Sequence, residues 1–312
     1  MRSRMRGIAL VLVLWLTVLL TVIAGGFAYG MRNEALAARN TLSWAQARSL
    51  ADGAVQRTVF ELTRPKVSPE VWSPDGTVHT WDDEGARIAA SATDESGRID
   101  INTAPDNVLK GLLQTAGELD ADAAARMLDV IGDWKDADDL RRPYGAEAPE
   151  YRAAGLPYGP ANAPFETVAE LQRVLGMTPA LYNKLADSLT VHTRMGGINP
   201  LYASRTVLLS LPGATPEMVD QYVAQRRDAM AARLAPPPFP LAGFSINAAN
   251  VWRIRVEVTM SDGVNFVREA VVRLGTDRRR LVVVVEWRDG SGRLLTADNA
   301  QQSTKDDGTR IR

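Results

Sequence analysis

The chain is 312 residues long, carries a net charge of −1 and contains no cysteine. That excludes a disulfide framework, cysteine-based metal sites and thiol catalysis, and it offers no electrostatic reason for a nucleic-acid partner. Hydrophobic residues make up 46% and charged residues 23%, so the chain can bury the core of one large or two modest domains.

The amino terminus carries the first signal. Arg2, Arg4 and Arg6 lead into Gly7, and the 22 residues from Ile8 to Tyr29 then hold no charge. A helix of that length extends roughly 33 Å, enough for the hydrocarbon core of a bilayer. Arg32 and Glu34 nearly balance on the far side, so the positive-inside rule places the amino terminus in the cytoplasm and the bulk of the chain outside. The competing reading is a cleaved secretory signal. Such signals have apolar regions of about 7–15 residues and end in a small-residue cleavage site, and this run is longer and has no clean A-x-A.

Helical spacing continues past the apolar run, with no proline before Pro65. Leu36, Leu42, Ala45, Leu50, Ala54 and Phe60 or Leu62 fall near one broad face, which predicts a single helix from about Ile8 to Leu62. Strand patterns follow at "TVHTW", "ARIAASAT" and "SGRIDIN". Helical patterns then occupy Asp106–Gln114, Ala121–Trp134, Thr167–Leu175, Pro179–Leu189, Ala203–Ser210 and Pro216–Leu234, and Pro236–Pro238 closes the block. Period-2 alternation begins at Trp252, Asp262-Gly263 supplies hairpin chemistry, and "LVVVVEWRD" makes a third strand. The stretch from about Ser291 is polar and reads as a frayed tail. The predicted class is α+β: a long amino-terminal helix, an antiparallel sheet, and an inserted all-helical domain.

Two parts of the insert share a plan. "INTAPDNVLKGLLQTAGELDADAAARMLDVI" and "INPLYASRTVLLSLPGATPEMVDQYVAQRR" each run Ile-Asn, a short helix ending Leu-Leu, a Gly-containing turn and a second helix. Helix-hairpin-helix units of this kind often hold DNA phosphates through cationic turns. Here the first turn is acidic and the second has no cation, which favours a protein-binding platform and leaves membrane-anchored DNA uptake as the alternative. Between the two units Asp133, Asp136, Asp138 and Asp139 crowd four carboxylates into seven residues at a helix end, where the dipole disfavours anions. Exposure to water, pairing with Arg141 and Arg142, or a hard cation would each relieve that crowding, and strict EF-hand spacing is absent. No nucleophile elbow, phosphate loop, zinc motif or triad pattern appears, so the chain does not read as an enzyme. His79 and His192 lie far apart and read as structural or surface residues.

The basic leader ending in Gly7, the apolar Ile8 and the helix running out of the membrane resemble the type IV pilin-like superfamily. Leu12 stands where most members carry Glu at the fifth mature position. The segment holding Asp133, Trp134, Asp136, Asp138, Gly145, Ala146, Glu147, Tyr151, Tyr158, Ala161, Asn162, Pro164, Phe165, Glu170 and Leu171 resembles protein K of type II secretion, a minor pseudopilin that typically lacks that Glu.

The resemblance implies a leader over 1–7 cut between Gly7 and Ile8 by prepilin peptidase, with Ile8 then methylated, and a membrane helix over 8–29. It implies helix continuation and first strands over 30–102, an inserted α-domain over 103–238, returning strands over 239–290 and a tail over 291–312. The implied location is the bacterial inner membrane with the bulk of the chain periplasmic, at the pseudopilus tip. The implied partners are the I and J type minor pseudopilins, the peptidase and the inner-membrane secretion platform. Calcium sites of the family's α-domain make Asp133, Asp136, Asp138 and Glu147 the expected ligands of a structural Ca2+ ion.

Overall fold

The computed structural model describes residues 6–64, 72–232, 234–241, 248–275 and 282–290, with side chains from residue 10 onward. The polar tail from Ser291 lies outside the described residues. Helix α1 runs unbroken from Arg6 to Thr63. Two threonines in its apolar half, Thr17 and Thr21, donate their hydroxyls to the carbonyls of Leu14 and Thr17. Those bonds satisfy polar groups that would be costly to leave bare in an apolar surrounding. The apolar window has a mean hydropathy of 2.5 and none of it is buried in the fold, so the helix is long and apolar enough to cross a membrane.

Five antiparallel strands form the main sheet in the order β1-β2-β5-β6-β7: β1 (Asp75–Asp83), β2 (Ala86–Asp94), β5 (Val251–Met260), β6 (Asn265–Leu274) and β7 (Val282–Asp289). Alternation in β5 sends Ile254, Val256 and Val258 to the face under α1 and Arg253 and Arg255 to the other. Helix α1 crosses the strands. Trp44 meets the ring of Phe266 on β6 at 5.4 Å, and further along the helix the Arg57 guanidinium lies 4.3 Å over Trp81 on β1.

The buried stripe of α1 corrects the predicted one. Ala47, Ala51, Ala54, Val55, Val59 and Leu62 face the sheet, whereas Leu36, Leu42, Ala45 and Phe60 are exposed and Leu50 is only half-buried. Ala47, Ala51 and Ala54 let the helix backbone approach the sheet closely, while Leu36, Leu42 and Phe60 stay in the open.

Residues 95–250, about half the chain, lie between β2 and β5. They build a second core containing Ile99, Leu112, Trp134, Tyr151, Leu185 and Leu208, which shares no buried residue with the sheet core among the described residues. Its elements are the short parallel pair β3 (Ile99–Asp100) and β4 (Leu189–Thr190), and helices α2 (Asp106–Thr115), α3 (Ala121–Lys135), α4 (Ala148–Ala153), α5 (Pro179–Leu185), α6 (Arg205–Leu209) and α7 (Pro216–Ala231). Three expectations shift. "SGRIDIN" keeps only Ile99–Asp100 as strand, Thr167–Leu175 is 3-10 over Val168–Arg173, and the Pro179 helix stops at Leu185 before β4. Ile99, Ile101 and Leu241, outside the predicted 103–238 block, pack with the helical core.

The two hairpin units α2–α3 and α6–α7 face each other through α2 and α6. A Cβ at Gly111 would lie 2.0 Å from the Ser210 carbonyl oxygen, so only glycine permits this approach. The insert covers the sheet face opposite α1, with a cleft of about 370 Å³ between them. At the junction the Glu95 carboxylate is fully buried, 2.8 Å from Arg253 Nε, 3.3 Å from Arg98 Nε, and hydrogen-bonded by the Thr190 hydroxyl. His192 Nε2 lies 3.1 Å from Glu286 of β7, and Arg273 donates to the His192 carbonyl at 2.8 Å. His79 stacks on Trp72 with centroids 3.8 Å apart.

Candidate metal centre in the helical insert

Helix α3 is started by Asp120, whose carboxylate accepts the Ala123 N–H at 2.7 Å. It ends where Asp136 leaves the helical region, its N–H still bonded to the Gly132 carbonyl at 3.0 Å. The last turn therefore delivers Asp133 into the core while Asp136 begins the acidic loop. Apolar walls explain the placement: Trp134 is buried against Tyr151 and Phe165, with ring centroids 6.1 Å away in each case.

The loop folds back so that Gly145, Ala146 and Glu147 pass over Asp133. A Cβ at Gly145 would sit 1.9 Å from Asp133 Oδ2. Any other residue at 145 would displace the carboxylate, which gives "GAE" a geometric reason. The Arg142 N–H is 3.2 Å from each oxygen of Asp133, and Asp133 is fully buried. Glu147 opens the short helix α4, and Pro149 at its start costs no hydrogen bond. The Glu150 carboxylate accepts the Glu147 N–H at 2.9 Å.

Ligand oxygens of Asp133, Asp136 and Glu147 all lie within 4.8 Å of one another. Burial pushes Asp133 above the usual carboxylate range, with Asp136 adding to the rise. Burial, reinforced by Asp133, Asp136, Asp139 and Asp138, pushes Glu147 up to about 7. Asp136 Oδ1 and both oxygens of Glu147 are buried with no hydrogen-bond partner. Unpartnered buried oxygens on Asp136 and Glu147, in a cluster this tight, fit a hard cation, because an ion would supply the partners the fold withholds.

The fourth expected ligand is elsewhere. Asp138 is exposed, and its carboxylate accepts the Leu140 N–H at 2.9 Å. Asp139 is likewise drawn off, accepting from Asn162 Nδ2 at 2.9 Å. Of the two arginines, Arg141 pairs with Glu150 at 3.6 Å and only Arg142 reaches the cluster. Sequence reading missed the part played by Gly132. A Cβ there would lie 2.4 Å from Arg142 Cζ, so the guanidinium rests on bare backbone. Its only sequence signal is a glycine inside the last helical turn, where propensity alone disfavours it.

The rest of the motif is scaffolding. Asn102 and Phe165 exchange two bonds of 2.9 Å, from Asn102 Nδ2 to the Phe165 carbonyl and from the Phe165 N–H to Asn102 Oδ1. The Tyr151 hydroxyl accepts the Leu175 N–H at 3.0 Å, and burial pushes its phenol up to about 12. Arg173 lies over Tyr158 at 4.9 Å.

The hairpin turns show no cationic platform. Glu118 in the first is engaged by Lys184 at 2.5 Å, and the second passes through Gly213 with φ of +86° and no basic residue. The other expected site, Gly7–Ile8, falls in the first turn of α1 by its backbone, and residues 1–5 ahead of it lie outside the described residues.

Comparisons agree with this layout. The family model for type II secretion system (T2SS) protein K matches residues 88–194, a span holding the whole acidic centre. The type II secretion system protein K of Pectobacterium carotovorum subsp. carotovorum is 29% identical over 236 residues, covering 67% of this chain and 71% of that protein. Its namesake from Klebsiella pneumoniae is 28% identical over 235 residues with the same coverage. A chain in the crystal structure of the GspK-GspI-GspJ complex from enterotoxigenic Escherichia coli aligns with a TM-score of 0.54 and 19% identity, over 84% of this chain and 99% of that one. At that identity the match speaks to the fold.

Proposed function

We propose that this chain is a minor pseudopilin of the type II secretion system protein K family, whose model and relatives it matches, and that it caps the pseudopilus. The observation that supports a tip position is the insert itself: residues 95–250 form a separately cored body on the sheet face opposite α1. A filament of stacked α1 helices has room for a compact sheet on each helix. A body that doubles the headpiece occupies the place of the next subunit, so growth ends there. Leu12 is consistent with this, since a subunit with no neighbour above needs no acidic group in its membrane helix.

The exposed apolar side chains of α1, Leu36, Leu42 and Phe60 among them, are where I and J type pseudopilins would pack. The solved relative is a complex of that composition. On this reading prepilin peptidase cuts between Gly7 and Ile8, Ile8 is methylated, and the helix sits in the inner membrane with its amino end cytoplasmic. The inner-membrane secretion platform would then receive it. The work is mechanical, with no catalytic step assigned to the chain.

The acidic centre would hold calcium through Asp133, Asp136 and Glu147. A bound divalent ion would neutralise the buried carboxylates and lock the 136–147 loop against α3. The chain's own residues prepare the place: Gly145 leaves room for Asp133, and the Arg142 N–H orients it.

The tip position is tested by labelling. The chain has no cysteine, so Ala153→Cys, exposed on α4, gives a single site for a thiol-reactive gold particle. Assembled pseudopili should carry gold at one end only. Gold spaced along their length would refute capping.

A further inference from the structure

We infer that Arg142 is a built-in competitor of the metal ion, and that its side chain sets how weakly the acidic centre binds calcium. The inference rests on the metal reading above. Arg142 Nε lies 3.6 Å from Asp133 Oδ1 and 3.7 Å from Asp136 Oδ2, and its Nη1 lies 3.5 Å from Asp106 Oδ2 on α2. These separations are ion pairs too long for hydrogen bonds, so the guanidinium supplies charge without taking up the acceptor oxygens. Asp136 Oδ1 and both Glu147 oxygens stay without partners while Arg142 is in place.

Two cations thus address the same carboxylates. A unit charge about one side-chain width from a divalent ion repels it, most strongly where burial lowers the effective dielectric. In the metal-free chain the same charge offsets the mutual repulsion of Asp133, Asp136 and Glu147. The side chain therefore favours the empty site and opposes the filled one. Asp106 supplies the alternative anchor: it is exposed, on another helix, and holds the end of the guanidinium away from the cluster. The seat over Gly132 keeps the side chain aligned between these two positions. The backbone N–H of Arg142, which orients Asp133, is a separate contribution that side-chain substitution leaves intact.

The two roles of the charge give opposite signs, which a merely structural residue would not. Arg142→Gln should lower the melting temperature in chelator yet tighten calcium binding at least tenfold. Asp106→Asn, a surface change with little risk to folding, should release Arg142 toward Asp133 and Asp136 and weaken calcium binding several-fold. The experiment is calorimetric titration of calcium chloride into the full chain in detergent micelles, for the wild type and both variants. Opposite shifts in dissociation constant establish the competition. Wild-type binding with unchanged or weakened binding in Arg142→Gln, or unchanged binding in Asp106→Asn, overturns it and leaves the metal reading standing. A wild type that binds no calcium removes the metal reading itself, and this inference with it.

Discussion

Arg268 of β6 and Asp52 of α1 meet at 2.7 Å inside the fold, where the arginine is 1% exposed. Asp289 of β7 takes the other side of the same guanidinium, and the rings of Phe266 and Trp287 lie 5.0 and 5.2 Å from its Cζ. One buried cation thereby ties the long helix, a central strand and an edge strand together. A charge so placed is tolerable only because two carboxylates and two aromatic faces replace its water.

Removing carboxylates should therefore cost more than their own exposure suggests. Asp52→Asn is expected to destabilise by roughly 1.5–3 kcal/mol, the range for a hydrogen bond to a charged group. Asp52→Asn with Asp289→Asn should exceed the sum of the single changes, because only the double variant strips the arginine of both counter-charges. Denaturant melts of the full chain in detergent measure this. Additive effects would mean that water reaches the guanidinium.

Much of this architecture is legible in the residues. The uncharged run from Ile8, the alternation of Ile254, Val256 and Val258, and the Asp262-Gly263 turn each follow from local periodicity, and the structure has the elements they predict. The face of α1 is not legible. A helix carrying Leu42, Ala45 and Phe60 on one side and Ala47, Ala51 and Ala54 on another leaves open which side meets the sheet, and that depends on how close the backbones come. Asp133 and Asp136 are readable as candidates from the crowding of carboxylates over 133–139, and Glu147 only through the resemblance to protein K. Excluding Asp138 is not, because the choice is made by a turn in which its carboxylate bonds the Leu140 N–H. Arg268 is equally silent in sequence, where alternation puts an arginine on a strand and says nothing of partners 21 and 216 residues away.

The junction between the two cores should be acid-sensitive. Arg253 and Arg98, working against burial, hold Glu95 below the usual carboxylate range. A folded pKa below the unfolded one makes the contribution complete above about pH 4.5 and lost as pH falls through the folded value. Glu95→Gln leaves both arginines without this partner and should cost roughly 3–5 kcal/mol at neutral pH. It should also flatten the acid limb of a plot of melting temperature against pH. An acid limb as steep as that of the wild type would assign the sensitivity to other groups.

Processing at the amino terminus makes a separate prediction. If the leader ends at Gly7, intact mass measurement of the protein isolated from membranes should give a chain beginning at Ile8 and heavier by one methyl group. Gly7→Leu should accumulate uncut. A mature chain beginning near residue 29 or 31 would mean an ordinary secretory signal, and the pilin-like reading of α1 would fall.

The sharpest division concerns the acidic centre, since three carboxylates come together and the fourth candidate, Asp138, is exposed and bonded to the Leu140 N–H. A ligand that binds only the folded chain stabilises it by about 2.7 kcal/mol at a hundred times its dissociation constant. The melting temperature of the full chain in detergent should accordingly rise with calcium and fall in chelator. Asp136→Ala removes an oxygen that has no other partner, and should abolish the calcium-dependent rise while sparing the chelator value, since it also relieves like-charge repulsion around Glu147. Asp138→Ala should leave the rise intact and lose only the turn bond to Leu140. Equal loss in both variants would mean that the loop closes further around the ion than the three-carboxylate geometry allows. Identical melts in calcium and chelator for the wild type would leave Arg142 as the cluster's resident counter-charge and no ion to displace it.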